Sequence, residues 1–158
     1  YVRGIIFLSL SFYSVVRLTN VEADYSYFLF ILLICISTDI GGYIFGKIFK
    51  GKKLTKISPN KTYSGMLGSF TLSIVLSYLF LELTTIFPSL KFHSIKMLIF
   101  ILLISLISQV GDIIISYFKR QSKIKNTGNI LPGHGGLLDR IDGMIFVFPS
   151  VFLILFLI

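Results

Sequence analysis

A single cysteine in 158 residues, Cys35, excludes a disulfide framework and a thiolate metal site, and its position inside an apolar run makes it a small buried hydrophobe. Histidine is nearly as scarce. His93 and His134 fall on opposite sides of the topology expected below, so a multi-histidine zinc centre is excluded too. Charge is sparse at 14% of residues and lopsided, with 7 acidic against 15 basic side chains and a formal net charge of +8. What remains is apolar: 54% of residues are hydrophobic and the mean hydropathy is +0.87, outside the range of soluble globular domains. The composition is that of an integral membrane protein. A signal peptide is disfavoured, because only Arg3 precedes the first apolar stretch, residues 4–16, and no small-residue cleavage site follows. That stretch is short for a spanning helix, and with Tyr1 at its head the chain is expected to be the C-terminal part of a longer polypeptide. It carries no repeat, no low-complexity tract and no second domain, so residues 1–158 read as a single membrane domain.

Four further apolar segments follow, at about 25–49, 64–88, 95–118 and 143–158. At about 1.5 Å per residue, each of the middle three can cross a hydrocarbon core of roughly 30 Å, and the last is marginal. The fold class is therefore an all-α polytopic membrane bundle. Ten of the fifteen cationic residues lie in two short loops: Lys50, Lys52, Lys53, Lys56 and Lys61 in the first, and Lys119, Arg120, Lys123, Lys125 and Arg140 in the second. Such clusters mark the cytoplasmic side and its anionic lipid rather than nucleic acid, and the two crossings between the loops return the chain to the same side. Glu22 and Asp24 then fall outside, with only Lys91 and Lys96 against the rule. Small residues recur four apart in two segments, as Thr38, Gly42 and Gly46 and as Gly65, Ser69, Ser73 and Ser77. Such faces let helix backbones approach closely in lipid, which makes them packing signals.

Two carboxylates lie within the apolar segments. Asp39 stands in "CISTDIGGY" and Asp112 in "LISQVGDIIISYFKR". A carboxylate facing lipid costs at least about 2.5 kcal/mol near the bilayer centre, so both are expected to face a bundle interior or a wet cavity, with helix-to-helix glue as the plainer alternative. Ser105, Ser108, Asp112 and Ser116 recur at helical spacing and form a polar stripe toward the second basic loop, with Asp112 about 9 Å from an expected helix end at Phe118.

The loop from 119 to 142 is denser in chemistry. Lys119, Arg120, Lys123 and Lys125 supply positive charge, and "PGHGG", with His134, Gly135 and Gly136, supplies a turn whose backbone amides are unobstructed, an arrangement suited to phosphate. Asp139 and Asp142 are three apart and share a face if a helix begins there, and acids opposite phosphate-binding bases point to Mg²⁺. The alternative is a lysine-rich loop touching headgroups with Asp139 as a helix N-cap. In the first loop, "KGKKLTKISPNKTYSG" places Ser58, Lys61 and Thr62 as donors for a second phosphorylated group.

These residues carry a resemblance. "SYFKRQSKIKNTGNILPGHGGLLDRID", residues 116–142, resembles the signature of the phosphatidate cytidylyltransferase (CDP-diacylglycerol synthase) family, in which Ser-x-x-Lys-Arg is followed by Lys-Asp and then His-Gly-Gly-x-x-Asp-Arg-x-Asp. "ISPNKTYSGMLGS" resembles the family's second motif and "STDIGGYIFGK" the Asp-containing helix before it, so the likeness covers most of residues 37–143 in the family's order. It implies that phosphatidic acid attacks the α-phosphorus of CTP at a cytoplasm-facing polar funnel in the bacterial inner membrane. It also implies a Mg²⁺ centre on Asp112 and Asp139, with potassium as an optional companion and a homodimer left open. Lys119, Arg120 and Arg140 would neutralise phosphate oxygens, with Asp142 and His134 beside them, while Ser58, Lys61, Thr62, Ser116, Gly135 and Gly136 would seat substrate. Three positions depart from the pattern: Asn126 replaces the Asp of Lys-Asp, Ile115 a common Glu, and Ser64 a frequent Glu. The remaining acids lead us to expect an active protein. Two rivals stand beside this reading: a CTP-dependent lipid-alcohol kinase, and an ion-coupled transporter whose intramembrane acids bind the ion.

Overall fold

The computed structural model describes residues 2–19, 25–55, 58, 61–83, 95–124, 127–128 and 141–157. Among them run five helices and no strand: α1 (Val2–Thr19), α2 (Ser26–Phe49), α3 (Tyr63–Leu83), α4 (Ile95–Gln121) and α5 (Met144–Leu157). Three of these, α2, α3 and α4, are long and apolar enough to cross a membrane. Helix α1 extends past both ends of the 4–16 stretch read from hydropathy, yet stays outside that group of three. Large apolar side chains such as Ile5, Leu67, Val75, Ile99 and Leu153 point outward, the arrangement expected of a surface solvated by lipid. The chain is an all-α polytopic membrane protein.

Two kinds of packing hold the bundle together. Leu18 of α1, Phe30, Ile31 and Ile34 of α2, Ile101 and Ile104 of α4, and Val147, Phe148 and Val151 of α5 form one apolar core. Helix α3 joins differently, because its buried residues are all small: Gly65, Gly68, Ser69, Ser73 and Ser77. They let α3 lie directly on the backbone of α2. A Cβ added at Gly41 would meet the carbonyl oxygen of Gly68 at 2.5 Å, and one at Gly65 would meet that of Gly42 at 2.6 Å. The four-residue spacing foresaw this contact through Gly42, Gly65 and Ser69, but Gly41 and Gly68 belong to it as well.

Helix α5 contains Pro149, which can donate no hydrogen bond to the carbonyl of Ile145 one turn earlier. Ser11 of α1 fills the gap, its hydroxyl donating to that carbonyl at 2.8 Å. In hydrocarbon an open carbonyl costs several kcal/mol, so this side chain makes the proline tolerable.

The described cations of both basic segments, Lys50, Lys52, Lys53 and Lys61 in the first and Lys119, Arg120 and Lys123 in the second, lie at the end of the bundle where α2 and α4 stop and α3 begins. Helix α2 stops where Lys50 turns left-handed (φ 44°) and its N–H bonds back to Gly46. The chain then forms a narrow antiparallel turn, with Leu54 N–H donating to Lys61 O at 2.7 Å and Tyr63 N–H to Lys52 O at 3.0 Å. Thr62 begins α3 as its cap, its hydroxyl accepting from the Gly65 amide at 3.1 Å. Helix α4 runs to Gln121, one turn beyond the expected end, so Asp112 lies about 13 Å from its terminus and Lys119 and Arg120 occupy the last helical turn rather than a loop. There Lys123 adopts φ 56° and Ile124 N–H reaches back to Lys119 O, a Schellman closure with lysine where glycine is usual.

Candidate active site

Helices α2, α3 and α4 and the first basic turn enclose a cavity of about 280 Å³. Its walls are built by three polar faces. Thr38, Asp39, Gly42 and Tyr43 come from α2, Thr62, Gly65 and Ser69 from the head of α3, and Gln109 and Asp112 from α4, with Ser58 and Lys61 from the turn and Asp142 closing the side toward α5. The wall is cross-linked by hydrogen bonds: Ser69 Oγ donates to Thr38 O at 2.7 Å, Thr38 Oγ1 to Ser105 Oγ at 2.9 Å, and Gln109 Nε2 to Ser105 Oγ at 3.4 Å. Gly42 brings the Ser69 hydroxyl close to α2, where an added Cβ would meet it at 2.8 Å. The small-residue stripes read as packing alone therefore also line the site.

Two ion pairs organise the charges. Lys61 pairs with Asp112, and its Nζ also donates to the backbone carbonyl of Gln109 at 3.4 Å, so one ammonium bridges the turn and α4. The side chains remain 24% and 33% exposed, within reach of the cavity's solvent. Lys119 pairs with Asp142 at 2.5 Å, with Asp142 buried at 5% and Lys119 left only 13% exposed. Asp142 sits in a turn between helical Ile141 and α5, and the helix expected to start at Asp139 lies outside the described residues. The following Gly143 lies so near Ser108 of α4 that a Cβ there would meet its hydroxyl at 2.6 Å.

Of the site residues read from the sequence, Asp112, Asp142, Ser58, Lys61 and Thr62 share the cavity. Asp39, half-exposed on α2, is on the same wall. Ser116 and Arg120 lie farther along α4 and are not among the lining residues, and Lys119 is held by Asp142. His134, Gly135, Gly136, Asp139 and Arg140 fall outside the described residues, as does Asn126. Ser64, where the family often has Glu, accepts the Gly51 amide at 3.2 Å and meets Thr62 Oγ1 at 3.1 Å, so here it fastens the turn to α3. Ile115 is half-buried on α4. Sequence reasoning passed over Gln109, since an isolated amide in an apolar run carries no spacing signal, and read Thr38 as packing alone.

The polar lining of the cavity is mostly carboxylate, hydroxyl and amide, beside the Lys61 ammonium and the Met66 thioether, and its carboxylates suit a hard cation such as Mg²⁺. Among the described residues no group of three or more His, Cys, Asp or Glu could hold a metal by itself.

Comparison with known proteins agrees with this architecture. A model of the cytidylyltransferase family matches residues 1–158. The phosphatidate cytidylyltransferase of Bacillus subtilis (strain 168) is 35% identical over 152 residues, covering 95% of this chain and 55% of that protein. The phosphatidate cytidylyltransferase of Staphylococcus aureus (strain COL) is 42% identical over 135 residues, covering 82% of this chain and 48% of its own, and that of Staphylococcus saprophyticus is 39% identical over 130 residues with the same coverage. The chain thus spans about half the length of the curated relatives it matches. With the match running through every helix and across the cavity they enclose, the chain belongs to the cytidylyltransferase family.

Proposed function

We propose that the protein is a phosphatidate cytidylyltransferase, converting CTP and phosphatidic acid to CDP-diacylglycerol and pyrophosphate. The observation that carries the proposal is the cavity at the basic end of the bundle, where Asp112 and Lys61 face a space of about 280 Å³ walled by hydroxyl and amide groups. A lipid phosphate reaches only the membrane edge, so a nucleotide must meet it there. The relatives named for this activity share the region that forms the cavity.

In the reaction an oxygen of the phosphatidate phosphate bonds to the α-phosphorus of CTP as the bond to the β-phosphate oxygen breaks, and pyrophosphate leaves. The nucleophile is already anionic, so charge neutralisation and in-line placement matter more than a general base. Lys61 binds a phosphate oxygen through its ammonium, and Ser58 and Thr62 flank the same anion. Arg120 and Arg140 attract the triphosphate to the bundle end. Asp112 and Asp139 would hold Mg²⁺, which when bound supplies charge neutralisation at the phosphates. The Lys119–Asp142 pair fixes the turn before α5 against α4, so Asp142 positions the Asp-Arg-x-Asp segment. The active site faces the cytoplasm and the protein resides in the bacterial inner membrane, a placement supported by the clustering of cationic residues at the cavity end.

The test is incubation of membranes containing the protein with phosphatidic acid and radiolabelled CTP, dCTP or ATP. Labelled CDP-lipid with pyrophosphate is the expected result; labelled CDP and a phosphorylated lipid would mark a kinase, and no lipid product with any nucleotide would end the proposal.

A further inference from the structure

The described lining of the cavity holds three carboxylates, Asp39, Asp112 and Asp142, with Asp142 engaged by Lys119 and Asp112 by Lys61. Asp112, its oxygen engaged by Lys61, does not offer that oxygen to a divalent cation, and Lys61, engaged by Asp112, does not offer its charge to a phosphate. Both difficulties have one solution. The Lys61 ammonium lies between two oxygens of α4, the Asp112 carboxylate and the Gln109 carbonyl, as a bound cation would. It is tethered by a four-carbon stem with three rotatable donors. Its backbone is fixed independently, with Lys61 N–H donating to Ser58 O at 3.1 Å and Lys61 O accepting from Leu54 N–H at 2.7 Å. Only the side chain has to move, and Asp112 sits on a rigid helix.

We infer that Lys61 is an exchangeable internal cation: it occupies the Asp112 oxygen while the site is empty and transfers to a substrate phosphate when a divalent cation takes its place. The inference rests on the metal-dependent reading of the cavity proposed above and deepens it by naming the residue that couples cation to nucleotide. Metal and phosphate then bind with positive coupling, because each removes what blocks the other, and the coupling is reciprocal. A fixed structural salt bridge makes the opposite forecast, since its loss would loosen α4 from the turn and weaken both ligands.

The experiment measures Mn²⁺ binding, as the probe visible to electron paramagnetic resonance, to the full chain in lipid nanodiscs without nucleotide. Lys61→Met is expected to bind Mn²⁺ about threefold to tenfold tighter than the natural chain, the range in which a half-exposed ion pair competes. Lys53→Met removes the same charge from the same turn but from a side chain outside the cavity wall, and is expected to leave Mn²⁺ binding unchanged. CTP retention at saturating Mn²⁺, without phosphatidate, is expected to fall in Lys61→Met. Equal or weaker Mn²⁺ binding in Lys61→Met overturns the inference, as does equal tightening in Lys53→Met, which would mean a general field effect. Unchanged CTP retention removes the phosphate half of the exchange and overturns it as well. Should Lys61→Met fail to insert, Lys61→Gln makes the same test. None of these readings needs turnover, so an absence of CDP-lipid synthesis is distinguishable from a failure of the exchange.

Discussion

Helix α4 supplies the acid of one ion pair and the base of the other, Asp112 and Lys119, seven residues or about two turns apart. Their surroundings differ. Asp112 and Lys61 keep a quarter to a third of their side-chain surface open beside the cavity, whereas Lys119 and Asp142 are enclosed where α4 meets α5. An open pair gains little from its own attraction and can part at small cost; an enclosed pair has already lost its hydration and parts only at large cost. The same residue types thus serve exchange in one place and fixation in the other.

The sharpest break in this comparison is Asp112→Asn. Asn keeps size and hydrogen bonding but removes the charge, so cytidylyl transfer is expected to fall at least about a hundredfold, ~2.7 kcal/mol of transition-state stabilisation, while the protein still inserts. Activity against Mg²⁺ concentration at matched membrane expression measures it. Asp139→Asn is expected to match it without adding to it in the double variant, as residues acting as one unit fail together. Near-natural turnover in Asp112→Asn would remove that residue from the mechanism.

At the enclosed pair the expected loss is structural. Lys119→Met leaves the Asp142 carboxylate buried without its ammonium and is expected to cost on the order of 3 kcal/mol, read as a lower midpoint in detergent or denaturant unfolding. Lys119→Met combined with Asp142→Leu should recover most of that stability, because an apolar pair of similar volume replaces the ions without their desolvation cost. A double variant no more stable than the single one would show that packing, not charge, is what Lys119 provides.

Exchanging partners sharpens the contrast. Lys119→Asp with Asp142→Lys should retain the fold at a loss of about 1–2 kcal/mol, because the attraction survives in altered geometry. The corresponding exchange at Lys61 and Asp112 should fold about as well as the natural chain and be inactive, since the cation ligand would stand on the turn and the phosphate ligand on the helix. Equal activity in the two exchanged proteins would erase the distinction. The smallest effect is expected beside the pairs, at Lys123: its left-handed backbone suits glycine, so Lys123→Gly should raise stability by about 0.5–1 kcal/mol with activity unchanged.

The helices were legible in the sequence because hydropathy is a one-dimensional signal. Asp112 and Lys61 were legible as chemistry, since a charge within or beside an apolar segment requires a reason. That they pair with each other was not, because 51 residues separate them and nothing in spacing links a turn to a distant helix. The boundary of α4 was also misplaced by one turn: "KRQ" ends the apolar run, yet lysine, arginine and glutamine are good helix formers and carry the helix on to Gln121. The double duty of the small residues was hidden for a further reason. Glycine and serine signal close approach, and whether an approach leaves a void beside it depends on which facing residues are also small.

The hydroxyl that Ser11 lends to the Ile145 carbonyl bears on how such a protein is assembled. During synthesis α5 is made last among the described helices, carrying a carbonyl that Pro149 has left open. Lipid offers it no donor. Closure waits for α1, made more than a hundred residues earlier, to come alongside. The earliest and latest described helices thereby join in a ring, and the step that completes the backbone of α5 also brings its preceding turn, with Asp142, to its place beside Lys119. Quality control at insertion and readiness for chemistry would then be a single event.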